Sequence, residues 1–352
     1  MASERQLSRC RDRLDVLSDS TLDCESLRRE AIGYLRVAVG FGRWCWPLAD
    51  PKTLLPSSGL AEHNYGPGVP RSLALEYSTD GIAAKHVVAR RPIPVGSLSS
   101  ETGGDIARSA RWDEVLRPAG IGDVATVACR DTLGCWGWIE LYRDSADRPF
   151  GDPELELLGS ISSAVGTALR RNAMQPPTGE VAEPSPPGTI VLDRDLRPVS
   201  WTNGARAWID ALPSARLFAE WGMLPSVFYP AAVLARSESE GAGARALVQA
   251  LDGRWVTIEA AALEGEREGE VAVNLRAATA NETFDLLCRV YALSQRERDV
   301  VSLLVAGLDT RAISTRLSIS RHTVQDHLMS VFTKIGIHSR RELLATLAAS
   351  SD

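Results

Sequence analysis

Apolar residues recur at helical spacing through residues 293–348. Val324, Leu328, Val331 and Ile335 form one stripe. At about 100° per residue, His322, Gln325, Asp326, Met329 and Thr333 gather on the opposite side. Ser320 stands where an N-cap is needed, and Gly336 supplies a stop. Upstream, Ser294 and Glu297 have capping-box spacing, and the pattern then runs through Val300, Leu303 and Leu304 to Gly307. Asp309 caps a stretch carrying Ile313 and Leu317, and Ser318-Ile319-Ser320 is a tight turn. Ser339 caps a last segment, Arg340–Ala348, with Leu343, Leu344 and Leu347. The pattern predicts four short helices, with a brief turn between the second and third. A helix that buries one side and presents hydrogen-bonding groups on the other suits the major groove of DNA. The alternative for this helix alone is an ordinary surface helix.

The rest of the chain alternates helical and strand-like patterns. Leu7, Cys10, Leu14 and Leu17 predict a first helix, and a second runs from about Asp23 to Val39. Residues 41–46 read as a strand ending at Pro47, residues 55–70 as a Pro/Gly/Ser-rich loop, and 73–77 as helix or strand. Val124–Arg130 and Cys135–Tyr142 make a hairpin pattern, with Trp136, Trp138, Glu140 and Tyr142 on one face and Cys135, Ile139 and Leu141 on the other. Asp152-Pro153 opens a helix to about Arg171 with an N-cap and a proline at the first position. Residues 176–188 are proline-rich and read as an exposed linker. Thr189–Asp193 and Arg197–Trp201 are strand-like, Thr202 or Asn203 caps a helix, and 244–251, 254–263 and 271–277 form a three-strand meander. The stretch 218–239 follows no clear pattern.

Composition sharpens this outline. The 352 residues are 44% hydrophobic and 24% charged, as in soluble globular domains. No apolar run reaches a membrane span, and the charged, amphipathic opening is unlike a secretory leader, so a cytoplasmic location is expected. The net charge is −6. Residues 289–345 hold nine Arg or Lys against five acids, a surplus of four positive charges, which leaves −10 on the remainder. A basic module on an acidic body is the asymmetry of a DNA-binding domain joined to a regulatory part. The six cysteines form no CxxC pair and have no histidine at metal-ligand spacing, so they read as buried apolar residues, with no metal and no cofactor expected. Trp44, Trp46, Trp112, Trp136 and Trp138 are candidates to line a pocket for an apolar or aromatic ligand, with core packing as the alternative. Trp201, Trp208, Trp221 and Trp255 read as core, and His63 and His86 as structural or solvent-facing.

At this point residues identify relatives. LSQRERDVVSLLVAGL (293–308) and AISTRLSISRHTVQDHLMSVFTKIGIHSRREL (312–343) closely resemble the LuxR-type, or GerE, helix-turn-helix. LRPAGIGD (116–123), WGWIELYRD (136–144) and PELELLGSISSAVGTALRR (153–171) resemble GAF domains of actinobacterial regulators. TIVLDRDLRPVSWTNGA (189–205) resembles the opening of a PAS domain. These resemblances imply a multidomain chain: an α+β GAF-like sensor over 1–175, the linker 176–188, an α+β PAS-like domain over 189–280 and an all-α four-helix DNA-binding domain over 281–352. They imply that Thr323, Lys334 and Arg340 touch phosphates and that Gln325, Asp326 and Met329 read bases, with Ser320, Arg321 and His322 completing the DNA face. Family members pair through the last helix, which makes Leu343, Leu344 and Leu347 the candidate dimer contacts. The implied partners are double-stranded DNA, a small-molecule effector, RNA polymerase and a second copy of the chain; no catalysis is expected. Ala312, Ser314 and Gln325 depart from the family pattern. Gln325 replaces a frequent lysine and lowers the positive charge of the reading face, which Arg321 or His322 is expected to offset. The rival readings are a response regulator, a quorum sensor for acyl-homoserine lactones, and a redox enzyme on a GAF scaffold using Cys129 and Cys135.

Overall fold

The computed structural model describes residues 3–62, 68–78, 81–173, 185–213, 220, 223–237, 244–265 and 267–349. His63, Trp221 and residues 176–184 of the expected linker lie outside them. The chain divides into two compact units, Met1–Ala277 and Ala278–Asp352.

In the first unit, α1 (Glu4–Ser18) and α2 (Cys24–Val39) begin at capping residues, Ser3 and Asp23, whose side chains accept from backbone N–H groups of the first turn. Strands β1 (Arg43–Ala49) and β2 (Pro56–Glu62) follow, then α3 (Val69–Glu76), α4 (Lys85–Val88), β3 (Val95–Ser97) and α5 (Leu98–Glu101). The long hairpin β4 (Ile121–Asp131) and β5 (Gly134–Asp144) leads to α6 (Asp152–Asn172). These strands form an antiparallel sheet in the order β2-β1-β5-β4-β3. Helix α6 lies on β4 and β5, and α1 packs on α6.

A second sheet is built from β6 (Gly188–Leu192), β7 (Pro198–Trp201), β8 (Ala244–Gln249), β9 (Trp255–Ala262) and β10 (Val271–Ala277), with α7 (Asn203–Ala211) and α8 (Phe228–Ser237) against it. Its order is β7-β6-β10-β9-β8, again wholly antiparallel. Each sheet, counted from its own first strand, runs second, first, fifth, fourth, third.

Four expectations change. The strand expected to end at Pro47 continues to Ala49. Proline has no N–H for the ladder; β1 pairs with β5 at Cys45 and again at Leu48, and the Trp46 carbonyl accepts from Arg28 Nη1 at 3.1 Å. The loop expected over 55–70 contains β2, whose sequence lacks strand-type alternation; it is an edge strand fixed by pairing with β1 and by Glu62, which accepts from Trp44 Nε1 and Arg36 Nη2. Trp201, expected in the core, is 55% exposed, because β7 is the outer edge of its sheet. Trp208 and Trp255 are buried as expected. The N-cap of α6 is Gly151, one residue before the position expected.

Helix α6 approaches the first sheet closely at Gly166, where a Cβ would stand 2.6 Å from the Arg130 backbone. Alanine favours an isolated helix over glycine by about 1 kcal/mol, yet here it must displace main chain. Gly166→Ala is therefore expected to destabilise the first unit by about 1–3 kcal/mol, read as a lower urea midpoint. An unchanged or higher midpoint would show that α6 does not sit this close.

Candidate nucleic-acid interface

The second unit contains five helices among the described residues: α9 (Ala280–Val290), α10 (Gln295–Val305), α11 (Thr310–Leu317), α12 (Arg321–Ile335) and α13 (Arg340–Ala349). The last four match the helices expected. α9 is additional, starts at a Thr279–Glu282 capping box, packs on α13 and buries Leu286 and Leu287. Its amphipathic spacing is the signal that would have found it.

Local chemistry fixes each joint. The Ser294 side chain accepts from the Glu297 N–H, and the Asp309 carboxylate accepts from the Ala312 N–H at 2.7 Å. Ser318 ends α11 in the left-handed conformation, φ 55°, and Ser320 starts α12, accepting from the Thr323 N–H at 3.0 Å. Gly336 ends α12 at φ 79°. Val324, Leu328, Val331 and Phe332 face inward with Val300, Val301, Leu304 and Ile313. Phe332 was missing from the expected stripe, and Ile335 is only half-buried.

With that side buried, Arg321, His322, Gln325, Asp326, Met329 and Thr333 are exposed along α12. Met329 is 61% exposed, an unusual setting for a thioether. His322 Nε2 lies 3.8 Å from the Asp326 carboxylate one turn on. Thr323 is half-buried, and its hydroxyl lies 2.9 Å from Ser320 Oγ. The two remaining phosphate candidates turn toward their own unit. Lys334 Nζ donates to Glu297 Oε2 at 2.6 Å and to the Ala292 carbonyl at 3.2 Å. Arg340 Nη2 donates to Thr310 Oγ1 at 2.5 Å. Exposed Arg311, Arg316 and Arg321 have no carboxylate within ion-pair distance among the described residues.

Glu297 joins two helices. It accepts from the Ser294 N–H at 2.6 Å, from Ser330 Oγ at 2.7 Å and from Lys334 Nζ at 2.6 Å. Burial raises a carboxyl pKa, but Lys334, Ser330 and Ser294 together outweigh it and hold Glu297 at about 2. The dimer candidates separate: Leu343 is fully buried inside the unit, Leu344 is 41% exposed, and the Leu347 side chain lies outside the described residues. Leu343 thus packs its own unit and is not available to a partner.

The tryptophans do not converge on one cavity. Trp44 and Trp46 share the sheet face of Leu141, while Trp138 points to the opposite face with its Nε1 donating to the Lys85 carbonyl. Trp136 stands where the β4–β5 register shifts, and Trp112 donates to the Ile121 carbonyl at 2.9 Å. Four of these five are buried and Trp112 is half-buried. His86 stacks on Tyr77, with ring centroids 5.1 Å apart. Burial pushes the Cys135 thiol up to about 12, and burial also raises Cys129, the opposite of what thiolate chemistry needs. Among the described residues, no helix is long and apolar enough to cross a membrane.

Residues 291–347 match the family of bacterial regulatory proteins, luxR family. They form a LuxR-type helix-turn-helix domain. Over 51 residues, 14% of this chain and 26% of the relative, the sequence is 45% identical to an HTH-type transcriptional regulator of Aeromonas salmonicida. Over 53 residues, 15% of this chain and 6% of the relative, it is 45% identical to an HTH-type transcriptional regulator of Mycobacterium bovis. Over 88 residues, 25% of this chain and 42% of the relative, it is 36% identical to the transcriptional regulatory protein FixJ of Rhizobium meliloti. The chain spans well under two thirds of each of these relatives.

The depressed Glu297 pKa sets a pH dependence for the LuxR-type domain. The stabilisation is fully present above the ordinary carboxyl value of 4.5 and is lost as pH falls through about 2. Glu297→Gln should cost about 2 kcal/mol at neutral pH. The gap between wild type and variant should close as pH is lowered from 4.5 toward 2, measured by denaturant unfolding of the full chain. A gap that stays constant over that range would remove the ionic role assigned to Glu297.

Proposed function

We propose that this chain is a DNA-binding transcriptional regulator. α12 enters the major groove, the chain binds a palindromic site as a homodimer, and the sheet domains of the first unit respond to a small-molecule effector. RNA polymerase is the proposed downstream partner. The observation that carries the DNA-binding part is the exposed face of α12. Arg321, His322, Gln325, Asp326 and Met329 project from a helix whose other side is locked into a capped helical core. Gln325 can pair bidentately with adenine, Asp326 can accept from cytosine N4, and Met329 can touch a thymine methyl.

The phosphate contacts are assigned mainly to Arg311, Arg316 and Arg321. A cation held by a buried carboxylate, as Lys334 is, releases little counterion from DNA. A partner copy would meet α13 at exposed Leu344. The GAF-like and PAS-like readings are supported by two antiparallel five-stranded sheets of the same strand order. A receiver domain needs a parallel, doubly wound sheet, which disfavours the response-regulator reading for the described part of the first unit.

Two measurements test this reading on duplexes enriched from a random pool. Gln325→Ala should weaken binding to the preferred site by about 1–3 kcal/mol and leave non-specific binding nearly unchanged; a uniform loss on all sequences contradicts base reading by this residue. Arg321→Ala should reduce the slope of log affinity against log salt by about 1, whereas Lys334→Met should leave the slope in place. Equal slope changes for both variants would reject the phosphate assignment.

A further inference from the structure

Helix α3 carries two neighbouring stripes that belong to different parts of the first unit. Val69 and Leu73, with Tyr77 just past the helix end, lie in the same apolar core as Val227, Phe228 and Val248 of the second sheet domain. α3 packs directly on α8. Ser72 and Glu76, one turn apart beside that stripe, instead face a buried ionic cluster under the first sheet.

The cluster holds two cations and two carboxylates: Glu76 of α3, Lys85 of α4, Glu140 of β5, and Arg111, just before the helical turn Trp112–Leu116. Lys85 Nζ lies 2.6 Å from Glu76 Oε2 and 2.9 Å from Glu140 Oε2. Arg111 reaches Glu140 Oε1 at 3.0 Å through Nη2 and Ser72 Oγ at 2.9 Å through Nε. Glu76 Oε1 also accepts from the Lys85 N–H at 2.8 Å, and Tyr142 donates to Glu140 at 3.0 Å. No side chain of the four is more than 4% exposed. Such a network has few acceptable geometries, because a charge that loses its partner stays buried and unpaired. A rearrangement here therefore moves Glu76, and with it the helix that carries Val69 and Leu73.

We propose that α3 is a transmission element, which makes the arrangement of the ionic cluster beneath the first sheet and the packing of the second sheet's core mutually dependent. The two sheets also meet where Asp50 Oδ2, just past β1, accepts from the Leu247 N–H of β8 at 2.9 Å, a contact that does not involve the cluster. The coupling holds whichever sheet receives an input, and so extends beyond the proposed sensing role.

Hydrogen exchange of the full chain, read by mass spectrometry, tests the coupling. Lys85→Met removes the cation shared by Glu76 and Glu140. The expected result is roughly tenfold faster exchange in α8 and β8, with α6 and the LuxR-type domain unchanged. Acceleration confined to residues 68–142 would overturn the proposal, and so would uniform acceleration that includes α6. If Lys85→Met does not fold, Ser72→Ala, which removes only the hydroxyl beside Arg111, is judged by the same criterion with a smaller effect. The reverse path is read from Leu73→Ala, made on the second-sheet side, which should accelerate exchange at residues 85–91; unchanged exchange there would overturn the coupling. None of these outcomes depends on DNA or effector binding, so a failure here is separable from a failure of the regulator reading.

Discussion

The orientation of α12 rests on the Glu297 carboxylate. It caps α10 from within, and it receives Ser330 and Lys334 from the second half of α12. A nearly buried carboxylate is tolerable only when its lone pairs are used, and here every partner belongs to a helix whose position matters. The apolar contacts of Val324, Leu328 and Val331 choose which side of α12 faces inward. The carboxylate then fixes the helix along its axis, which dispersion contacts alone leave loosely defined. The exposed row from Arg321 to Thr333 is what remains once those two demands are met.

Much of this was legible in the chain because it depends on neighbours in sequence. Caps at Ser294, Asp309, Ser320 and Gly336 act over three or four residues, and the apolar stripe has a fixed period. Strands β4 to β6 and the meander β8–β10 announced themselves through β-branched and aromatic runs. Long-range requirements were hidden. Pro56–Glu62 is a strand only because β1 lies beside it, and Trp201 is exposed only because nothing pairs with the far side of β7 among the described residues. The capping role of Glu297 was visible, but its partners at 330 and 334 lie on another helix. For the same reason neither the tie of Lys334 to Glu297 nor the burial of Leu343 could be read from the sequence.

The two units handle charge differently. The first confines a balanced set of charges beneath its sheet and ties each to a partner. The second ties Lys334 to Glu297 between two helices, keeps other pairs along single helices, and leaves arginines at the surface. The arginine-rich, lysine-poor composition fits both uses. A guanidinium satisfies several acceptors in a fixed plane, as Arg111 does inside, and remains charged at any working pH outside.

The left-handed residues Ser318 and Gly336 bracket α12. Neither end can propagate, since each conformation breaks the right-handed spiral at once. The helix therefore has a fixed length of 15 residues, about 22 Å at 1.5 Å per residue. It behaves as a rigid ruler. Residues at its start and middle keep constant spacing whatever surface they meet, so adjustment to a target must come from side-chain rotamers or from the target bending to fit.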